Sequence, residues 1–254
     1  MGGAPALLSR PRSVALAAWL GIGAAWYFSA DSLPGIPLWW EVALLAFVLM
    51  PGVFLFDWIV LPLCRARGLL PLAGALAALA ILAEVGDLEV LANVAKLAAV
   101  TFFAFWFLNL FEELVLLVVV AAIVPFVDAY SVFRGPTGHI VEHHSSVFEY
   151  FSVYWVLPGE PDGPRLGIPD VLFFALYLAA AVRFRLRPGW TWLAMVAALG
   201  ATIAITVWAD VAGLPALPAL SVGFLVPNAD LIWAQLRGRS GNGPAEGPSP
   251  TLRR

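Results

Sequence analysis

Residues 114–134 read LVLLVVVAAIVPFVDAYSVFR. From Leu114 to Val127 no side chain is charged, and the apolar residues run continuously instead of alternating with polar ones as in a membrane strand. A run of about 20 apolar residues matches the thickness of bilayer hydrocarbon when wound as a helix. Only helices and closed barrels satisfy every backbone polar group in that medium. The stretch therefore predicts a transmembrane helix that carries an acid, Asp128, close to one end.

The pattern repeats along the chain. Apolar runs bounded by charge, proline or glycine predict eight spans, at 13–30, 38–63, 69–84, 91–110, 113–133, 167–184, 189–209 and 213–236. The fold class expected is all-α, a polytopic transmembrane bundle of about eight helices. The composition agrees, with 61% apolar and 12% charged residues, where a soluble domain carries about a quarter charged. One transmembrane domain over 1–236 follows, its N-terminal helices at 13–110 and the rest at 113–236. The Gly-, Pro- and Ser-rich tail, 237–254, reads as disordered. No basic block points to nucleic acid, so the expected surroundings are the lipid bilayer. Arg10 and Arg12 ahead of the apolar run Val14 to Phe28 resemble a targeting signal, read here as a retained anchor. The single cysteine, Cys64, has no partner for an internal disulfide.

Basic residues orient the bundle. With eight spans, Arg10, Arg12, Arg65, Arg67, Arg183, Arg185, Arg187, Arg237, Arg239, Arg253 and Arg254 fall on one side, and Arg134 and Arg165 on the other. The richer side is expected to be cytoplasmic. Both termini are then cytoplasmic, in a multi-pass protein of the cell membrane. The one long connection, 134–166, becomes an extracytoplasmic loop and is polar enough to be solvated.

Ionisable residues inside spans are expensive and start as functional candidates. Asp57, eight residues from Arg65, is expected to snorkel toward the interface, and Asp210 sits where a span should end. Lys96 either snorkels or neutralises a carboxylate, and Asp230, seven residues before Arg237, suggests a structural pair. Asp128 and Asp170 differ. The first closes one apolar helix and the second opens the next, so the loop between them places both near the outer face. Two carboxylates within a few ångströms cannot both ionise and share a proton. One can then take a proton from an attacking water while the other donates to a peptide carbonyl oxygen. That chemistry needs no cofactor and no metal.

A third element is Leu214-Pro215-Ala216-Leu217-Pro218, at the start of the last span. Prolines three residues apart are expected to keep it extended, with free backbone groups that could pair with an unwound substrate.

Together these segments resemble the presenilin and signal peptide peptidase family of GxGD intramembrane aspartyl proteases over roughly residues 114 to 236. Asp128, in FVDAYSVFRGPTG, is similar to that family's first aspartate, and Asp170, in Arg165-Leu166-Gly167-Ile168-Pro169-Asp170, to its second. Pro215-Ala216-Leu217 matches the PAL motif, followed here by Pro218. Val127 stands where the family has tyrosine, Pro169 where it has the second glycine, and eight spans are counted against nine. The resemblance implies Asp128 and Asp170 as catalytic residues, with Gly167, Pro215, Ala216, Leu217 and Pro218 contacting substrate. The substrates implied are transmembrane segments. The arginine count puts the chain with the signal peptide peptidase orientation, hence substrates with a cytoplasmic N-terminus such as leftover signal peptides.

Two alternatives compete. A prepilin peptidase would carry a lysine shortly after its second aspartate, but Val171, Leu172 and Phe173 follow Asp170. A transporter or channel would use Asp128, Asp170 and Lys96 as an ion or proton path. His139, His143 and His144 beside Glu142 match no familiar zinc spacing and read as solvated loop.

Overall fold

The computed structural model describes residues 8–134, 152–159, 164–211 and 214–240. Its elements in chain order are α1 (Arg10–Ala30), α2 (Leu38–Leu44), α3 (Met50–Val60), α4 (Leu69–Val85), α5 (Glu89–Phe107), α6 (Leu114–Arg134), β1 (Ser152–Tyr154), β2 (Arg165–Gly167), α7 (Ile168–Arg183), α8 (Pro188–Trp208), α9 (Leu217–Leu225) and α10 (Ala229–Ser240). Each of the eight apolar runs contains helix among the described residues. Among the described residues six helices are long and apolar enough to cross a membrane, namely Arg10–Ala30, Leu38–Arg65, Glu89–Leu110, Leu114–Ser131, Pro188–Trp208 and Leu217–Arg237. The chain is thus a multi-pass helical membrane protein.

The span Leu38–Arg65 is not uniform. Between α2 and α3 the ladder widens to a π-helical turn at Leu45–Leu49, just before Pro51 in the first turn of α3. Proline has no N–H and its ring crowds the carbonyl four residues back, so widening the turn accommodates it. Pro62 tightens the exit into a 3-10 turn at Leu61–Arg65.

At the centre of the bundle lies α7. Val171 and every residue from Phe174 to Ala181 are fully buried. Its 16 residues rise only about 24 Å, less than the roughly 30 Å of hydrocarbon. Being wrapped by protein, it has no need to match the lipid. Phe174 stacks on Phe54 of α3 with ring centroids 3.7 Å apart, while α5 packs along another flank. The α4 and α5 hairpin closes on small residues, with Ala73, Ala80 and Ala83 on one helix and Ala92, Ala95 and Ala99 on the other all buried. Small side chains let helix backbones approach closely in lipid.

The same device joins α8 to its neighbours. A Cβ placed on Gly223 of α9 would sit 2.6 Å from the Cα of Met195, and one on Gly200 of α8 3.1 Å from the Cβ of Ala46. The last predicted span breaks at the 3-10 turn Val226–Asn228, where Pro227 interrupts the helix. Asn228, fully buried, fills that break. Its Nδ2 donates to Thr191 Oγ1 and to the Phe224 carbonyl, both at 2.7 Å, and its Oδ1 accepts from the Arg187 N–H at 2.9 Å.

Several expectations are corrected. The connection 134–166 is not simply a solvated loop: β1 and β2 pair antiparallel with Val153 opposite Leu166. Val153, Trp155, Val156 and Leu157 are buried because the segment folds back onto α5, where the Tyr154 N–H donates to Asn93 Oδ1, and onto α1. There Trp26 Nε1 donates to the Val156 carbonyl at 3.0 Å and the Gly159 N–H to that of Ala30 at 3.3 Å. Asp57 does not snorkel toward Arg65 but is fully buried. Asp230 pairs with Arg187, two contacts of 2.7 Å, and not with Arg237, which lies over the Trp233 ring. Finally, α10 runs as helix to Ser240, past the expected start of the disordered tail. His139, His143 and His144 lie outside the described residues.

Candidate functional site

The buried face of α6 steps through Leu114, Leu117 and Ala121 at spacings of three and four, the signature of a helix with one inward stripe. The next steps reach Val124 and Asp128, both half-buried, while Phe126, Val127 and Tyr130 are exposed. Asp128 therefore continues the stripe that faces protein. Pro125 lies one turn before it and leaves the Ala121 carbonyl without its helical donor.

Asp170 is set by different local rules. The strand β2 ends at Gly167, whose φ of −64° and ψ of 144° are extended, and α7 starts at the next residue. Pro169 falls in the first turn of that helix, where a missing N–H costs nothing because those donors have no partner inside the helix. The proline that departs from the glycine pattern is thus seated without strain. Asp170 follows in the same turn, where the helix dipole favours an acid. A Cβ on Gly167 would stand 3.3 Å from Asp170 Oδ2, so this glycine gives the carboxyl its room.

Between α6 and α7 comes α9, which packs against both. Its first residue, Leu217, donates its backbone N–H to Asp128 Oδ2 at 3.1 Å. The two carboxyl groups lie within electrostatic reach of each other. One array thus contains Asp128, Asp170, Gly167 and Leu217, with Pro215, Ala216 and Pro218 beside Leu217 along the chain.

The prolines behave differently from the expectation of an extended strand. Pro218 occupies the first turn of α9 and Ala216 has right-handed helical angles, φ −87° and ψ −27°. The helix begins earlier because proline is well placed in a first turn. Residues 214–216 remain outside any helix or strand.

Other charges stay apart. Lys96 meets Glu84 at 3.0 Å, at the edge of a cavity of about 360 Å³ lined also by Ala80, Ala99 and Ile168 but by neither aspartate. Asp210, with φ 51°, follows the end of α8. Sequence reasoning missed the support behind the array. Tyr177 and Ser221, both buried, meet at 3.3 Å, and the Tyr177 ring stacks on Phe224 at 4.8 Å, tying α7 to α9. The signal was present as helical spacing: Tyr177 is two turns beyond Asp170 and Ser221 one turn beyond Leu217.

No family model matches the chain, and no curated protein or solved structure matches it either. The chemistry of the site rests on its own geometry.

Proposed function

We propose that the chain is an intramembrane aspartyl protease, cutting peptide bonds inside transmembrane helices with Asp128 and Asp170. The observation that carries this reading is that the two carboxyl groups, on separate helices, lie within electrostatic reach of each other, with the N–H of Leu217 on one of them. A like-charged pair holds one proton between its members more readily than none. The ionised member takes a proton from water, the water oxygen bonds to the substrate carbonyl carbon, and the protonated member gives its proton to the carbonyl oxygen. As the resulting gem-diol collapses, the aspartate protonated by the water gives that proton to the leaving amine nitrogen, the C–N bond breaks, and the other aspartate takes back a proton from a gem-diol hydroxyl.

The arginine distribution supports substrates with a cytoplasmic N-terminus, signal-peptide remnants among them. A transport path through Asp128 and Asp170 would want Lys96 as its cation, and Lys96 is engaged with Glu84. The absence of a lysine after Asp170 argues against a prepilin peptidase.

The test mixes purified protein with a labelled transmembrane peptide and compares wild type with Asp128→Ala and Asp170→Ala. Each change should reduce cleavage by at least about a hundredfold. Cleavage that survives either one refutes the pair.

A further inference from the structure

The span that contains α3 holds a second acid that the proposed chemistry does not use. Asp57, on α3, is fully buried, and its hydrogen-bond partner Thr101 comes from α5. Thr101 Oγ1 of α5 lies 2.6 Å from Asp57 Oδ1 and also 2.9 Å from the carbonyl of Leu97, one turn back on its own helix. Asp57 Oδ2 is buried with no hydrogen-bond partner among the described residues.

A threonine hydroxyl has one hydrogen, and a backbone carbonyl has none. Two contacts therefore need two hydrogens, and Thr101 supplies only one. If it goes to the Leu97 carbonyl, as is common for threonine in membrane helices, the hydrogen of the 2.6 Å contact belongs to Asp57. The alternative is an ionised Asp57 taking the Thr101 hydrogen. That would leave a full charge in an apolar interior with one oxygen bare, and buried charge without a partner is strongly unfavourable. No cation among the described residues offsets it. Arg12 donates to the carbonyls of Trp58 and Ile59 and Arg65 to that of Val182, and among the described residues Thr101 is the one polar group acting on Asp57.

We infer that Asp57 is a structural proton-binding site: a neutral carboxylic acid that donates its proton to Thr101 and so fixes α3 against α5. The bare Oδ2 is then the carbonyl oxygen of the acid, the group least costly to leave unpaired. The lock sits under the central helix. Phe54, one turn before Asp57, is the residue stacked on Phe174, and Phe174 is one turn beyond Asp170. The Phe54 carbonyl also accepts from Trp192 Nε1 at 2.9 Å. Asp57 is accordingly a positioning residue for α7, acting through α3.

Infrared spectroscopy of the purified protein at neutral pH tests the proton directly, and this readout does not depend on the proposed protease function. Wild type minus Asp57→Asn should contain a protonated-carboxyl C=O band that shifts in D₂O. The band should persist in an Asp128→Asn/Asp170→Asn background, which removes the other two acids. A difference spectrum with only ionised-carboxylate bands overturns the inference. Asparagine reproduces a donor and a carbonyl oxygen, so Asp57→Asn should keep the thermal midpoint and, on the protease reading, peptide cleavage. Asp57→Ala should lower cleavage about tenfold or more, since small misplacements of reacting groups are costly. Asp57→Ala indistinguishable from wild type in both midpoint and cleavage would remove the positioning role. A wild type that shows the band yet cuts no peptide would overturn the protease reading and leave the proton site standing.

Discussion

The N–H of Leu217 reaches Asp128 Oδ2 across 89 residues of chain, at 3.1 Å. A backbone donor cannot rotate away as a side chain can, so it fixes the orientation of the carboxyl wherever α9 goes. Hydrogen bonds to charged groups contribute about 1.5–3 kcal/mol, roughly ten- to a hundredfold in rate if the bond serves the reaction. Leu217→Pro deletes the donor, and also disfavours the helical angles of Ala216 before it, while Leu217→Ala keeps the donor and removes only the side chain. Peptide cleavage by Leu217→Pro should fall at least about tenfold below that by Leu217→Ala.

Gly167 adopts extended angles open to any residue, so its value is space and not backbone freedom. In Gly167→Ala the new methyl, 3.3 Å from Asp170 Oδ2, pushes the carboxyl by a few tenths of an ångström. Thermal melting should be unchanged while cleavage drops about tenfold. A large loss of stability with the residual activity per folded molecule intact would contradict this.

Gly223 and Gly52 offer a paired comparison in stability. Any side chain at 223 meets the backbone of Met195 at 2.6 Å, whereas a methyl at 52 meets nothing within 4 Å. Gly223→Val should cost about 1–3 kcal/mol by overpacking, and Gly52→Ala should be neutral or stabilising by up to about 1 kcal/mol. Melting of the two purified variants against wild type decides it.

The Arg187–Asp230 pair has good geometry, yet its side chains are largely exposed. Ion pairs of this kind contribute little after solvent screening. Asp230→Asn should leave melting and cleavage at wild-type values, and a marked loss of either would show that the pair supports the array from a distance.

A reporter enzyme fused after residue 150 tests the orientation drawn from the arginines. Activity typical of the extracytoplasmic side is expected, and a cytoplasmic signal would reverse the substrate direction.

The helices were legible because hydrocarbon admits so few backbone solutions: Leu114 to Val127 could hardly be anything else. The chain order likewise set Asp128, Asp170 and the stretch 214–218 on neighbouring spans, although Leu217 was read as a substrate contact and its N–H is on Asp128. What the pattern could not carry were partners fixed by space. Asp57 was matched to Arg65 and Asp230 to Arg237 because those lie near in the chain, but Thr101 and Arg187 are the neighbours in the fold. The donor on Asp128 is a main-chain N–H, which every residue but proline has, so no side-chain motif marks it. The hairpin of β1 and β2 escaped notice because the apolar run Val153 to Leu157 is too short to span a membrane and lies in an otherwise polar connection, where only the fold supplies its cover from α1 and α5.

That last arrangement has a mechanical meaning. The segment resting on Trp26 and Ala30 is one half of the hairpin whose other half runs straight into Asp170. Although α1 has almost no buried surface of its own, it braces the end of the bundle that carries the hairpin. Asp170 is thus joined to α1 by a relay of static contacts, from Trp26 through β1 and β2 to the start of α7.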